Sequence, residues 1–147
     1  MEERPKRLGR DAFRLFRTIP TRWMDNDAYG HVNNVVYYSY FDTVVNAHLV
    51  EAGLLDPVRS TVTGLVVETG CTYFEPVSFP ELLDGALAVT ALGRSSVTYR
   101  VAIFRQGADL AAAQGRYTHV YVDRATGRPA PIPDGTRALF ETVRVEP

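Results

Sequence analysis

The sequence predicts a single α+β domain in which a curved antiparallel sheet wraps a long central helix. Two patterns carry that expectation. A segment from about Val35 to Ala52 is apolar around nearly its whole circumference, which demands enclosure on several sides. Four β-rich segments follow it, and turn-forming clusters between the last three make those three antiparallel neighbours. At 147 residues the chain is one domain of ordinary size, long enough to bury a sizeable core.

From the N-terminus, residues 1–11 read as a flexible charged segment ahead of a strand from Phe13 to Trp23, in which Pro20 argues for an edge position or a bulge. A polar turn follows, and Asn33 or Asn34 can cap the helix that begins at Val35. Gly53 closes that helix as a C-terminal cap. Its polar residues Ser39, Asp42, Thr43 and Asn46 fall at i, i+3, i+4 and i+7 and form one narrow stripe. Strands are expected over Thr61–Phe74, Leu82–Leu92, Val97–Phe104 and Leu110–Val122, with turns at 93–96 and 106–109. A loop rich in glycine and proline then leads to Asp134, which caps a short helix ending near Val143.

Composition narrows the classes of function. Hydrophobic residues make up 46% and charged residues 22%, as in globular proteins rather than disordered or membrane-spanning ones. A net charge of −1 supplies no global field for nucleic acid or an anionic membrane, so neither is expected as a partner. The first ten residues lack the apolar core of a signal peptide and no later run reaches a membrane-spanning length, so a cytoplasmic location is expected. Cys71 is the one cysteine, which rules out an internal disulfide and a Cys-x-x-Cys motif. Without a basic neighbour it reads as an inert thiol in a strand.

The chemistry is concentrated in Asp25-Asn26-Asp27-Ala28-Tyr29-Gly30-His31-Val32-Asn33-Asn34, immediately ahead of the apolar helix. The first turn of a helix has N–H groups without intrahelical partners and carries the positive end of the macrodipole. A carboxylate a few residues upstream of such donors suits hydrolysis of a carbonyl compound: the N–H groups polarise the C=O while the carboxylate attacks it or activates water. Three other readings compete. A calcium loop fails at its fifth and twelfth positions, which are Tyr29 and Val36. A transition-metal site at Asp25, Asp27 and His31 lacks a completing cysteine or histidine cluster, so no metal is expected. A turn that merely caps the helix explains an isolated Asp-rich stretch, but not the density of polar types here.

The run from Arg22 to Asn34, with Tyr37 and Tyr40-Phe41-Asp42 beyond it, resembles the signature of hotdog-fold acyl-CoA thioesterases, in particular the 4-hydroxybenzoyl-CoA thioesterase-like branch. The likeness extends in element order from about Phe13 to Val143. It implies a homodimer with sheets joined edge to edge, often paired into a homotetramer, an acyl-CoA substrate held in clefts between subunits, and no metal or redox cofactor. Carried over, the catalytic carboxylate falls on Asp27, the supporting acid on Asp25, and the carbonyl-polarising backbone N–H on about Asn34. Gly30 belongs to the same turn, where glycine permits close backbone approach or a positive φ. His31 takes a positioning role or a structural hydrogen bond, with Asn33 and Tyr37 among the substrate contacts, although core packing alone explains Tyr37, Tyr40, Phe41 and Val44 at helical spacing and is the simpler reading of them. Arg94 and Ser95 stand where the family places CoA contacts, although a solvated turn explains an arginine there equally well. His119 is expected to sit on a sheet face between Tyr117 and Tyr121. Besides hydrolysis, two alternatives remain: a dehydratase, whose motif differs, and a non-catalytic acyl-CoA-binding protein, against which the retained Asp27 argues.

Overall fold

The structure, a computed structural model, describes residues 3–147; Met1 and Glu2, the start of the segment expected to be flexible, lie outside it. Five strands, β1 (Leu15–Pro20), β2 (Val62–Tyr73), β3 (Leu82–Leu92), β4 (Ser96–Arg105) and β5 (Ala113–Asp123), form one antiparallel sheet in the order β1-β3-β4-β5-β2. Helix α1 (Val36–Glu51) lies against one face, and a shorter helix α2 (Asp134–Thr142) follows β5. This is the expected hotdog architecture, a sheet wrapped around a central helix.

Strand alternation explains how the helix is held. Leu83, Leu87 and Val89 of β3 share the inner face with Val97, Tyr99, Val101 and Ile103 of β4, and they meet Tyr37, Tyr40, Phe41, Val44, Val45 and Leu49 of α1 in one buried cluster. Gly85 lets the helix approach, because a Cβ there would stand 2.3 Å from a Val44 methyl carbon. The opposite face carries a smaller cluster of Phe13, Ala86, Ala88, Ala102, Phe104 and Ala111.

Several boundaries move, each for a local reason. The first strand ends at Pro20 rather than Trp23, because Trp23–Asp25 closes a 3-10 turn in which the Asp25 carboxylate accepts from the Arg22 N–H. The last strand begins at Ala113 rather than Leu110; the Ala111 N–H donates to Leu8 O at 2.9 Å, so this stretch serves the N-terminal arm. That arm is laid along the sheet rather than hanging loose. Leu8 N–H donates to Gln114 Oε1 at 2.8 Å, Gln114 returns a bond to Lys6 O, and Arg10 pairs with Asp84 at 2.9 Å. Neither helix has the expected side-chain cap: Val35 and Pro133 occupy the cap positions, and Asp134 instead sits in the first turn, where it complements the dipole. Gly53, at φ +73°, does close α1.

The polar stripe of α1 stays at the surface of the single chain, with Ser39, Asp42 and Thr43 exposed. On the edge strand β2, Leu65, Val66 and Val67 are also exposed, next to a register shift at Val66/Glu68. Among the described residues no helix is long and apolar enough to cross a membrane.

Candidate active site

The motif loop leaves β1 and returns to α1 as a small closed turn. Asp27 N–H donates to His31 O at 2.8 Å, Gly30 N–H donates to Asp27 O at 3.1 Å, and Asn33 N–H donates to Asp25 O at 2.9 Å. Gly30 closes the turn at φ +82°, a conformation that costs L-residues with a Cβ but not glycine. The segment before β3 anchors it from outside: Val32 N–H donates to Val77 O, Phe79 N–H to Asn26 Oδ1, and Ser78 Oγ to Gly30 O.

Within this frame the two aspartates have different surroundings. Asp25 is 1% exposed and accepts from the Tyr40 hydroxyl at 2.6 Å, the Arg22 N–H at 2.9 Å and the Arg22 Nε at 3.0 Å. Burial alone would push its carboxyl up, but these bonds from Tyr40 and Arg22 outweigh it and hold the group below the usual carboxylate range. Burial, together with the same bond, pushes the Tyr40 phenol far above its ordinary value. Asp25 is therefore the post of the loop, its charge already spoken for. Asp27 is only partly buried; its Oδ1 accepts from the Tyr29 N–H at 2.9 Å, and its Oδ2 has no partner among the described residues. That oxygen is the one free to take a proton or meet a carbonyl carbon.

Donors stand at the head of α1. Asn33 Oδ1 accepts from the Val35 N–H at 3.0 Å, and Asn33 O accepts from the Val36 N–H at 2.9 Å, which leaves the Asn34 N–H without an acceptor among the described residues. Asn33 thus serves the helix start from just outside it. His31 makes its structural bond through the backbone carbonyl, while its side chain is exposed. Tyr37 is a core side chain, 2% exposed, with its ring edge-on to Tyr73 at 5.0 Å. Around the loop stand exposed apolar side chains: Trp23 at 81%, Met24 at 73%, Tyr29 at 88% and Val35 at 63%.

Arg94 and Ser95 are not brought to this loop within one chain. The loop sits at the Leu82 end of β3 and the Arg94 turn follows its other end, 11 residues away or roughly 35 Å at about 3.3 Å per residue. That turn is held through its backbone, with Arg94 O accepting from Ile132 N–H at 2.9 Å and from Arg137 at 3.1 Å, while the Arg94 side chain is exposed. Asp42, on the exposed stripe of α1, accepts from the Tyr117 hydroxyl and from Asn46 Nδ2. Cys71 is half-buried, and burial pushes its thiol up to about 11, which leaves it unreactive. The sequence reading missed Tyr40 and Tyr73 as supports of the loop. Both are strong core formers, and nothing in a core pattern announces a hydroxyl's partner.

The family model of the thioesterase-like superfamily matches residues 21–140, which span the loop, α1 and the whole sheet beyond β1. The chain belongs to this superfamily. Among solved structures, this thioesterase-like protein is similar to the PA5185 protein of Pseudomonas aeruginosa, at 47% identity with a TM-score of 0.92 over 95% of this chain and 97% of that one. It also shares its fold with a 1,4-dihydroxy-2-naphthoyl-CoA thioesterase from Synechocystis, at 15% identity and a TM-score of 0.78 over 85% of this chain and 93% of that one. YsmA of Bacillus subtilis is 28% identical over 94 residues, 64% of this chain and 63% of that protein, so the match spans a little under two thirds of that relative.

Proposed function

We propose that this protein hydrolyses an acyl-CoA thioester to the free acid and CoA. In this reading Asp27 acts as general base for water or as nucleophile through a transient anhydride, and the Asn34 N–H polarises the thioester carbonyl. The observation that carries it is the division of labour between the two aspartates. Asp25 spends its charge on Tyr40 and Arg22, while Asp27, two residues on, keeps an oxygen free on a turn whose backbone is tied at both ends. A thioester suits this equipment because a thiolate leaves without strong acid assistance, and the buried acid of the loop, Asp25, is already bonded to Tyr40 and Arg22. Gly30 gives the turn its shape, and His31 and Asn33 flank the place where the acyl group would lie.

The distance between Arg94 and Asp27 favours a site completed by a second copy. Tyr73, at one end of β2, bonds to Asn34, whereas Val62, at the other end, pairs with Asp123 near the Arg94 turn. Pairing β2 antiparallel with β2 of a second copy brings one copy's Arg94 turn to the end of the sheet that carries the other's Asp27. Arg94 and Ser95 would then meet the phosphates of a CoA whose thioester lies at the partner loop, an arginine being well matched to phosphate. Such a homodimer, alone or doubled into a homotetramer, would also cover the exposed Leu65, Val66 and Val67 edge.

The deciding experiment is thiol release from a panel of aliphatic and aromatic acyl-CoAs, followed with a thiol reagent, for the wild type and Asp27→Asn. Turnover by the wild type that collapses in the variant supports the reading. Binding without turnover would make this a non-catalytic acyl-CoA-binding protein.

A further inference from the structure

Tyr73, the last residue of β2, donates its hydroxyl to Asn34 O at 2.6 Å, a bond that joins the edge strand to the turn ahead of α1 across 39 residues of chain. The bond falls on a particular peptide. Asn34 O belongs to the Asn34–Val35 peptide, whose N–H is held by Asn33 Oδ1 at 3.0 Å. The Asn33–Asn34 peptide is held in turn by its carbonyl, which accepts from the Val36 N–H at 2.9 Å, and the Asn33 N–H donates to Asp25 O. Asn34 is therefore gripped through both flanking peptides. Its own N–H is the group in this stretch left without an acceptor among the described residues.

The hydroxyl is aimed by a packed ring and not by a flexible arm. Tyr73 stands edge-on to Tyr37 at 5.0 Å with an interplanar angle of 88°, and Tyr37 is itself 2% exposed and edge-on to Tyr40. The same aromatic row thus ends in the two hydroxyls that support the loop, Tyr40 on Asp25 and Tyr73 on Asn34. Burial, with the neighbouring Cys71, raises the Tyr73 phenol far above its ordinary value, so it remains a donor throughout the pH range in which a thioesterase is assayed.

We propose that Tyr73 is a positioning residue that sets the direction of the Asn34 N–H, and with it the carbonyl-polarising power of the site. This rests on the thioesterase reading above. A donor contributes to an oxyanion only when it already points where the charge will develop, which is why fixed backbone N–H groups outperform mobile ones. Removing the Tyr73 hydroxyl leaves the Asn34–Val35 peptide held through its N–H alone, by Asn33 Oδ1, with its carbonyl end loosened and the donor itself in place.

Tyr73→Phe in the full chain deletes the hydroxyl and keeps the ring against Tyr37. On the best acyl-CoA its kcat should fall about tenfold, less than the ~10²–10³ cost of deleting an oxyanion donor outright, with KM within about twofold. The backbone amide resonance of Asn34 in a ¹⁵N-labelled sample should shift, while those of Asp27 and Tyr29 stay in place. An unchanged kcat, an unmoved Asn34 resonance, or a loss carried wholly by KM would overturn the proposal while wild-type turnover stands. A wild type that releases no thiol from any acyl-CoA would overturn the thioesterase reading and this role with it, and the wild-type control tells the two failures apart.

Discussion

The Tyr40 hydroxyl meets the Asp25 carboxylate at 2.6 Å inside the domain, binding the second turn of α1 to the first acid of the motif loop. The loop thereby inherits the rigidity of the core, since Tyr40 is 4% exposed and packed in the central cluster. Tyr40→Phe keeps the ring and takes away one of the two donors to the buried Asp25 Oδ2, leaving it the Arg22 N–H. It should cost about 1–3 kcal/mol, the price of leaving a buried polar group short of a partner, read as a lower midpoint in urea at unchanged m-value. A variant as stable as the wild type would mean that Asp25 is satisfied without Tyr40.

For the chemistry, Asp27→Asn is nearly isosteric and should lower kcat at least ~10²-fold, the scale expected for a positioned base, with the fold unchanged by circular dichroism. Asp42→Asn is the comparison, because Asp42 is a second carboxylate at the surface of α1, held by Tyr117 and Asn46. Its loss should affect assembly or stability more than turnover. Near-normal activity at position 27 combined with a dead, folded oligomer at position 42 would move the catalytic role to the helix.

Arg94→Ala should raise KM for acyl-CoA, spare kcat, and weaken the salt dependence of binding. The substitution touches no side-chain bond among the described residues, because the turn is held by backbone carbonyls. Identical kinetics would return Arg94 to a solvated turn.

The assembly itself is measurable. Static light scattering at micromolar concentration should give at least a dimeric mass. An active monomer would refute a site shared between copies.

Stability should also depend on pH through His119. The ring is 2% exposed among Tyr99, Tyr117 and Tyr121, and burial drives it down to about 4 against a smaller upward pull from Asp42. An unfolded histidine titrates near 6.5, so between the two values the unfolded chain binds the extra proton and stability rises with pH. The contribution is complete above about 6.5 and is lost as pH falls toward 4, at up to about 1.4 kcal/mol per unit. Asp25 acts in the same direction at lower pH, because its folded value lies below the ordinary 3.8. Urea midpoints measured from pH 7 to 4.5 should fall more steeply for the wild type than for His119→Phe; parallel slopes would exclude His119 as the cause.

Much of this architecture was legible in the residues. Leu82–Leu92 stands as a strand at the expected bounds, and α1 differs from its expected span by one residue at each end, because each is a long apolar run bounded by turn-forming residues. The closing turn at Gly53 and the positive φ of Gly30 were legible for the same kind of reason, a local steric demand. What eluded the sequence depends on partners distant along the chain. The resemblance set Asp25 apart from Asp27 without saying what holds it, and the buried donor to the Asp25 carboxylate is Tyr40, 15 residues further along the chain. The Leu110–Ala112 stretch has strand composition, yet its Ala111 N–H goes to Leu8 O of the N-terminal arm. Asn33 and Asn34 looked interchangeable as caps until the fold gave one a side-chain acceptor role and the other an open N–H.

Trp23 is the one tryptophan of the chain, 81% exposed, with its indole edge-on to Phe79 at 6.0 Å, and it lies two residues ahead of Asp25. The molecule therefore carries its own optical probe beside the motif loop. Excited at the red edge where tyrosine is silent, the indole reports on its own surroundings alone, so a ligand or a second chain that removes water from this loop would shift its emission to shorter wavelength, without label and without turnover.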